Sequence, residues 1–159
     1  KTLDKLKSPS GRFEEIIYRK KSSKIIIDYA HTPDAMQNVL KSYTNKSFKP
    51  SLVFGCGGER DKSKRKKMSV IANKYAKKVY LTDDNPRNEN ANSIRKTLKK
   101  YCQKARDISN RRLAIHTAIS EMHQKDILII AGKGHEKYQI IKNKNYLFDD
   151  FKVAKDFIK

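Results

Sequence analysis

Residues 24–34 read Lys-Ile-Ile-Ile-Asp-Tyr-Ala-His-Thr-Pro-Asp, an apolar run that breaks at once into polar sequence. The same arrangement recurs three times. Ser51-Leu52-Val53-Phe54 is followed by Gly55-Cys56-Gly57-Gly58-Glu59-Arg60-Asp61, and Lys78-Val79-Tyr80-Leu81 by Thr82-Asp83-Asp84-Asn85-Pro86-Arg87. Ile127-Leu128-Ile129-Ile130 is followed by Ala131-Gly132-Lys133-Gly134-His135-Glu136. These runs have strand length and β-branched or aromatic content, and their unbroken apolarity predicts strands covered on both faces.

Helical patterns fill the gaps. Residues 33 to about 46 open with Thr32 as N-cap and Pro33 at the first helical position. Residues 64–77 align Met68, Ile71, Ala72 and Tyr75, and residues 91–102 align Ile94, Leu98 and Tyr101. Residues 111–123 follow Asn110 as a cap and align Leu113, Ala114, Ala118, Ile119 and Met122. Buried strands alternating with amphipathic helices predict a Rossmann-like, doubly wound, mostly parallel α/β sheet with right-handed crossovers. The tail differs. Tyr138–Ile141 and Tyr146–Phe148 flank Lys142-Asn143-Lys144-Asn145 and predict a hairpin closing one sheet edge, with a last helix from Asp149 or Asp150. Residues 1–23 look irregular and are read as an inter-domain linker, leaving 24–159 as one domain.

At 159 residues such a chain buries roughly 70% of the surface that its unfolded form exposes. Cys56 and Cys102 are too few for a disulfide framework and have no C-x-x-C spacing. There is no apolar run of membrane-spanning length and no signal-peptide core, so a cytoplasmic protein without membrane partners is expected. The chain starts at Lys1 rather than at a methionine and is expected to be a piece of a longer protein. Its 37 Lys and Arg against 17 Asp and Glu give a net charge of +20, which raises nucleic acid as a partner. The basic residues are mostly lysines spread over the whole chain, with no aromatic-rich RNA signature and no Cys/His finger. They are read as solvated faces, with the run Lys62–Lys67 as the densest cluster.

In a parallel sheet the four polar segments all fall at the carboxyl edge, where open α/β sheets bind ligands. Arg60 and Arg87 supply planar cationic forks for carboxylates, Asp84 and Glu136 supply anions for ammonium groups, and the glycines let backbone amides approach. That mixture suits a zwitterion. His31 reads first as a hydrogen-bonding loop residue, and His31, His116, His123 and His135 have no metal-ligand spacing. The phosphate-loop pattern G-x-x-x-x-G-K-[ST] is absent from this sequence, so the chain is not expected to turn over ATP by itself.

The four segments in this order and spacing resemble the C-terminal domain of the Mur ligase family, in its members that add diaminopimelate to UDP-N-acetylmuramoyl-L-alanyl-D-glutamate. Gly11-Arg12-Phe13-Glu14 likewise resembles the segment leading into that domain. The resemblance implies a three-domain cytoplasmic enzyme of peptidoglycan synthesis whose missing N-terminal and central domains hold the UDP-sugar dipeptide, ATP and Mg2+. ATP would phosphorylate the γ-carboxylate of D-glutamate, and the diaminopimelate amine would attack the acyl phosphate, giving amide, ADP and phosphate. Carried over by motif, Arg60, Asp84, Asn85, Pro86, Arg87, Gly132 and Glu136 would bind meso-diaminopimelate, while Arg12, Asp28 and His31 would reach ATP. No catalytic residue or metal ligand falls in this domain. In lysine-adding relatives the arginine of D-N-P-R is replaced, so Arg87 carries the substrate assignment. Glu59 and Ser63 depart from the Asp and Gly usual in the family. Three alternatives stand beside this reading: a lysine-adding ligase, a basic nucleic-acid-binding module, and a remnant keeping the fold without ligation.

Overall fold

Each apolar run forms a strand in the computed structural model of the chain, which describes residues 13–159. They are β2 (Ser23–Asp28), β3 (Ser51–Phe54), β4 (Val79–Leu81) and β6 (Ile127–Ala131). The helices between them are α1 (Pro33–Ser42), α2 (Ser63–Tyr75), α3 (Ala91–Tyr101) and α4 (Arg111–Ser120). With β1 (Glu14–Tyr18) and β5 (Arg106–Asp107) they make a six-stranded sheet of order β1-β2-β6-β3-β4-β5, parallel except for the β1–β2 pair. A hairpin of β7 (Tyr138–Ile141) and β8 (Lys144–Leu147) follows, and then α5 (Asp150–Phe157).

Both faces of the sheet are covered, as the unbroken apolar runs require. Ile26, Leu52, Phe54 and Ile129 share one buried cluster with Met36 and Leu40 of α1, Met68 of α2 and Leu98 of α3. Alternate residues Ile25, Ile27, Val53, Leu128 and Ile130 share the other with Ile115 and Ile119 of α4 and Val153 of α5. The helices start where capping chemistry places them. Thr32 Oγ1 accepts from Ala35 N, Asn110 Oδ1 from Leu113 N and Asp149 Oδ1 from Lys152 N. α1 stops at Ser42, short of the expected 46, because the amide of Tyr43 and the hydroxyl of Thr44 both turn back to Leu40 O, at 3.2 and 2.8 Å.

Three features differ from the sequence reading. Residues 14–18, within the stretch read as irregular, form β1 and pair with Ser23 to Ile27 of β2. The two-residue strand β5 carries too little pattern to be seen in sequence. The hairpin has its first strand where expected, but its second begins earlier, at Lys144, and the two make a sheet of their own. The edge beside β2 is already taken by β1, and the hairpin instead docks on the loop after β4. There Arg87 N donates to Ile140 O at 3.0 Å, Lys142 N to Arg87 O at 2.7 Å, and Ile140 N to Asn85 Oδ1 at 3.0 Å.

Many lysines have a local role. At the end of α2, Lys104 Nζ donates to Asn73 O and Ala76 O at 2.7 and 2.6 Å, and Lys49 Nζ to Lys74 O at 2.9 Å. At the end of α4, Lys21 Nζ reaches Ser120 O and Met122 O at 3.0 and 2.6 Å. These cations satisfy orphan carbonyls at the negative ends of the helix dipoles.

A buried clamp holds the glycine-rich loop after β3. The Arg65 guanidinium grips both Glu89 oxygens at 2.7 Å and reaches Gly57 O at 3.3 Å, while Glu89 Oε2 accepts from Glu59 N at 3.3 Å. Arg65, by its hydrogen bonds and charge, holds the Glu89 carboxyl down at about 2, against an ordinary 4.5. Since the folded value lies below the unfolded one, the stabilisation is complete above pH 4.5 and is lost as the pH falls toward 2. Glu89→Gln is expected to lower stability at neutral pH by about 1–2 kcal/mol and to remove that part of the acid dependence. Denaturant melts of both proteins from neutral pH to about pH 2.5 check this, because the curves should converge on acidification.

Candidate functional site

The loops after β2, β3, β4 and β6 surround one cavity of about 640 Å³ at the carboxyl edge of the sheet. The chain runs from β2 across to β3 while β6 lies between them, so the edge opens where connections diverge, as expected of a ligand crevice in this architecture. Arg60, Asp84, Asn85, Arg87, Gly132 and Glu136 all line it, together with His31. Pro86 is buried outside the lining, with its carbonyl packed beneath Gly58: a Cβ on Gly58 would lie 2.0 Å from Pro86 O. Asp28 also lies outside the large cavity. Its carboxylate organises the backbone, accepting from Phe13 N at 3.0 Å and Ala30 N at 2.9 Å, and it borders a smaller cavity of about 310 Å³ shared with His31. Arg12 lies outside the described residues.

One part of the lining is rich in cations, with Asp34 and Asp61 among them. Arg60, Lys64 and Lys67 line it, and Lys64 Nζ donates to His31 O at 3.3 Å. Arg87 sits in the left-handed backbone region at φ 52°, held by its pairing with the hairpin. Its Nη1 donates to Gly58 O at 2.9 Å and approaches Asn85 O at 3.4 Å, and Arg87 makes no ion pair among the described residues. Gly57 gives it room, since a Cβ there would come within 2.9 Å of Nη1. His31 is exposed, with Nδ1 2.8 Å from Tyr29 O and its ring centroid 4.5 Å from that of Tyr29.

Another wall rests on a buried polar network centred on Lys133, whose side chain has 0% exposure. Its ammonium donates to Asn85 Oδ1 at 2.9 Å and Glu136 Oε2 at 3.3 Å and lies 3.7 Å from Asp84 Oδ1. Asn85 Nδ2 donates to the same Glu136 oxygen at 2.9 Å. Burial raises the Asp84 carboxyl above its ordinary 3.8, opposed by the charges of Arg111 and Lys133. With the folded value above the unfolded one, Asp84's contribution to stability is full below pH 3.8 and lost as the pH rises through the folded value. An ammonium brought by a ligand offsets that loss by favouring the carboxylate.

Behind this wall Arg111, at the start of α4, forms a bidentate pair with Asp150 at 2.8 and 2.7 Å and donates to Ala131 O at 3.1 Å. Sequence reading missed both buried cations. Lys133 stood between two glycines inside a quoted motif without a role assigned to it. Arg111 enters the sequence reading only as the first residue of a helix, although a cation against the positive end of a helix dipole is itself a sign of a paired partner.

The family model described as "Mur ligase, glutamate ligase domain" matches residues 11–134. A UDP-N-acetylmuramoyl-L-alanyl-D-glutamate–2,6-diaminopimelate ligase of Anaplasma marginale is 47% identical over 151 residues, 93% of this chain and 31% of that protein. The ligase of the same name from Rickettsia rickettsii is 45% identical over 163 residues, 99% of this chain and 33% of that protein. This chain therefore spans about a third of the length of the curated relatives it matches. A solved structure of a ligase of that name superposes with a TM-score of 0.84 at 38% identity, over 97% of this chain and 32% of that one. A folylpolyglutamate synthase of Mycobacterium tuberculosis, solved with ADP and AMPPCP, shares the fold at TM-score 0.59 and 19% identity, over 79% of this chain and 30% of that one.

Gly132 couples the backbone of the site to its carboxylate. It adopts φ 116°, and a Cβ there would lie 2.8 Å from Asp84 Oδ2. Gly132→Ala is expected to cost about 1–3 kcal/mol of stability from backbone strain and to push Asp84 off its present position. A thermal melt reads the first effect. Titration with an ammonium-bearing amino acid, expected to bind at least about tenfold more weakly for each 1.4 kcal/mol of lost contact, reads the second.

Proposed function

The chain belongs to the Mur ligase family, as its glutamate ligase domain, and on that premise we propose that it is the amino-acid-binding part of an ATP-dependent ligase. The complete enzyme would add meso-diaminopimelate to UDP-N-acetylmuramoyl-L-alanyl-D-glutamate in the cytoplasm during peptidoglycan synthesis. The single observation that supports this reading best is the charge make-up of the large cavity, which Arg60 and Arg87 line together with Asp84 and Glu136. Diaminopimelate carries two carboxylates and two ammonium groups, so it needs cations and anions at separate points. Lysine, with one carboxylate, leaves one cationic fork without a partner.

In this reading Arg87 pairs with the distal carboxylate, and its present hydrogen bonds to Gly58 O and Asn85 O keep the guanidinium in place for that contact. Asp84, Asn85 and Glu136 take the distal ammonium, while Gly132 leaves room for Asp84. Pro86 acts by supporting the loop rather than by touching ligand. Arg60, on the exposed rim, serves the other carboxylate. ATP and Mg2+ are assigned to the central domain, where they supply the activated γ-carboxylate that the amine attacks. His31, exposed beside the cavity, and Asp28, which fixes the start of the loop that carries it, stand toward the nucleotide side, and Arg12 is assigned there by motif alone. Among the described residues no helix is long and apolar enough to cross a membrane.

Two outcomes follow. Arg87→Gly removes the guanidinium while suiting the left-handed backbone, and Arg87→Ala removes it while keeping the Cβ that Arg87 already carries there. In the full-length enzyme both should lower kcat/KM for meso-diaminopimelate by about 2–5 kcal/mol of transition-state binding. Any trace activity with lysine should change far less, and Arg87→Lys should rescue only in part because an ammonium lacks the planar fork. Steady-state kinetics with both amino acids, with a melting curve for each variant, checks this. An equal loss for both substrates together with a lowered melting temperature would confine Arg87 to bracing the turn. Separately, calorimetry of the 159-residue chain with ATP and magnesium should give very weak binding or none. A micromolar dissociation constant would move the nucleotide site into this domain.

A further inference from the structure

The ammonium-binding wall of the large cavity already contains an ammonium of its own. Lys133 is fully buried, and its Nζ is within 3.7 Å of three groups assigned above to ligand: Asp84, Asn85 and Glu136. A lysine enclosed to this degree is rare unless paired, since desolvating the charge is costly. Surface attraction cannot be its purpose. The groups facing Asp84 are Lys133 and Glu136 from the loop after β6, Arg111 from α4, Asp150 from α5, Tyr29 from the loop after β2 and Cys56 from the loop after β3. Arg111 is held by Asp150 through two hydrogen bonds at 2.8 and 2.7 Å, and its charge still favours the Asp84 carboxylate from behind, with Asp150 opposing it. Lys133 is the cation that touches Asn85 and Glu136 and lies 3.7 Å from Asp84, so it is the one that ties the two carboxylates together.

We propose that Lys133 is the positioning residue of the amino-acid pocket: its ammonium gathers Asp84, Asn85 and Glu136 into one acceptor set with a single net negative charge, which receives one ligand ammonium. Two carboxylates sharing a desolvated wall without a cation would hold a proton between them, and a protonated pair receives an ammonium poorly. With Lys133 in place a cation within 3.7 Å of both carboxylates favours their charged forms. The same contacts fix geometry. Lys133 Nζ and Ile140 N both donate to Asn85 Oδ1, at 2.9 and 3.0 Å, which settles the orientation of the amide and turns its Nδ2 toward Glu136. The inference rests on reading this pocket as the diaminopimelate site.

The test measures kcat and KM for meso-diaminopimelate in the full-length enzyme over about pH 6–9.5, for wild type, Lys133→Met and the double variant Lys133→Met with Glu136→Gln. For Lys133→Met, KM at neutral pH should rise at least about tenfold while kcat falls much less. The acidic limb of its affinity should move up by about one pH unit or more, so that part of the loss is recovered at high pH. The double variant, with no like-charge pair left, should return that limb toward its wild-type position. A loss of the same size at every pH, or a fall in kcat with KM unchanged, would overturn the proposal. If Lys133→Met does not fold, Lys133→Gln, which removes the charge and keeps a donor for Asn85, carries the same expectation. Failure of both to fold would assign Lys133 to stability alone and also overturn it. If wild type does not saturate with meso-diaminopimelate, the reading of the pocket fails; if wild type saturates and the variant's loss ignores pH, only the role of Lys133 fails.

Discussion

A charge taken out of water must bring its partner with it, and the carboxyl edge of this sheet is organised by that constraint. Arg111 and Asp150 both have 0% side-chain exposure and meet through two hydrogen bonds. The pair joins α4 to α5, and Arg111 also holds Ala131 O, the last carbonyl of β6 before Gly132. Removing either partner would leave an uncompensated buried charge, a loss of roughly 3–5 kcal/mol. The sharp turn at Gly132, the close approach of Asp84 and the loop carrying Lys133 and Glu136 all start from that anchored carbonyl. Arg111 Nη1 has no hydrogen-bond partner among the described residues, and its charge acts on Asp84.

The same constraint accounts for the two faces of the cavity. Its acidic wall is buried and braced by Lys133, so its charges are fixed in place and strengthened by the low local dielectric. Its cationic wall is nearer to solvent, with Arg60 and Lys67 exposed. A buried acceptor set discriminates by geometry, whereas exposed cations attract and steer anionic ligands. The loops that carry the walls are held by ties of their own. The Arg65–Glu89 clamp fixes the loop after β3, and the hairpin fixes the loop after β4 through the backbone of Arg87.

The strongly basic composition also finds much of its explanation here. Lysines from distant parts of the chain fold back over the carbonyl ends of α2 and α4, away from the cavity. Arg65 and Arg111, which look in sequence like members of surface charge runs, are buried and paired. Charge that suggested a polyanion partner is thus partly consumed within the fold.

The sequence by itself makes the four buried strands and the helices between them legible, whereas β1, β5 and the place of the hairpin are not legible there. Runs such as Ile25-Ile26-Ile27 and Leu128-Ile129-Ile130 are apolar on both sides of the pleat, which only a sheet covered on both faces tolerates, and Thr32, Asn110 and Asp149 mark helix starts through purely local hydrogen bonds. It also placed Arg60, Asp84, Asn85, Arg87, Gly132 and Glu136 at one edge, because in a parallel sheet the residue after each strand has its position fixed by topology. What sequence could not supply was which side chains are removed from water and with what partners. Lys133 and Asn85 are 48 residues apart, and Arg111 and Asp150 are 39 apart. Nothing local distinguishes Lys133 from the exposed lysines around it, and Arg111 is marked only by its place at the positive end of a helix dipole. Pairing of that kind is decided by packing between elements, so only the tertiary structure could show that a lysine forms the centre of the acidic wall.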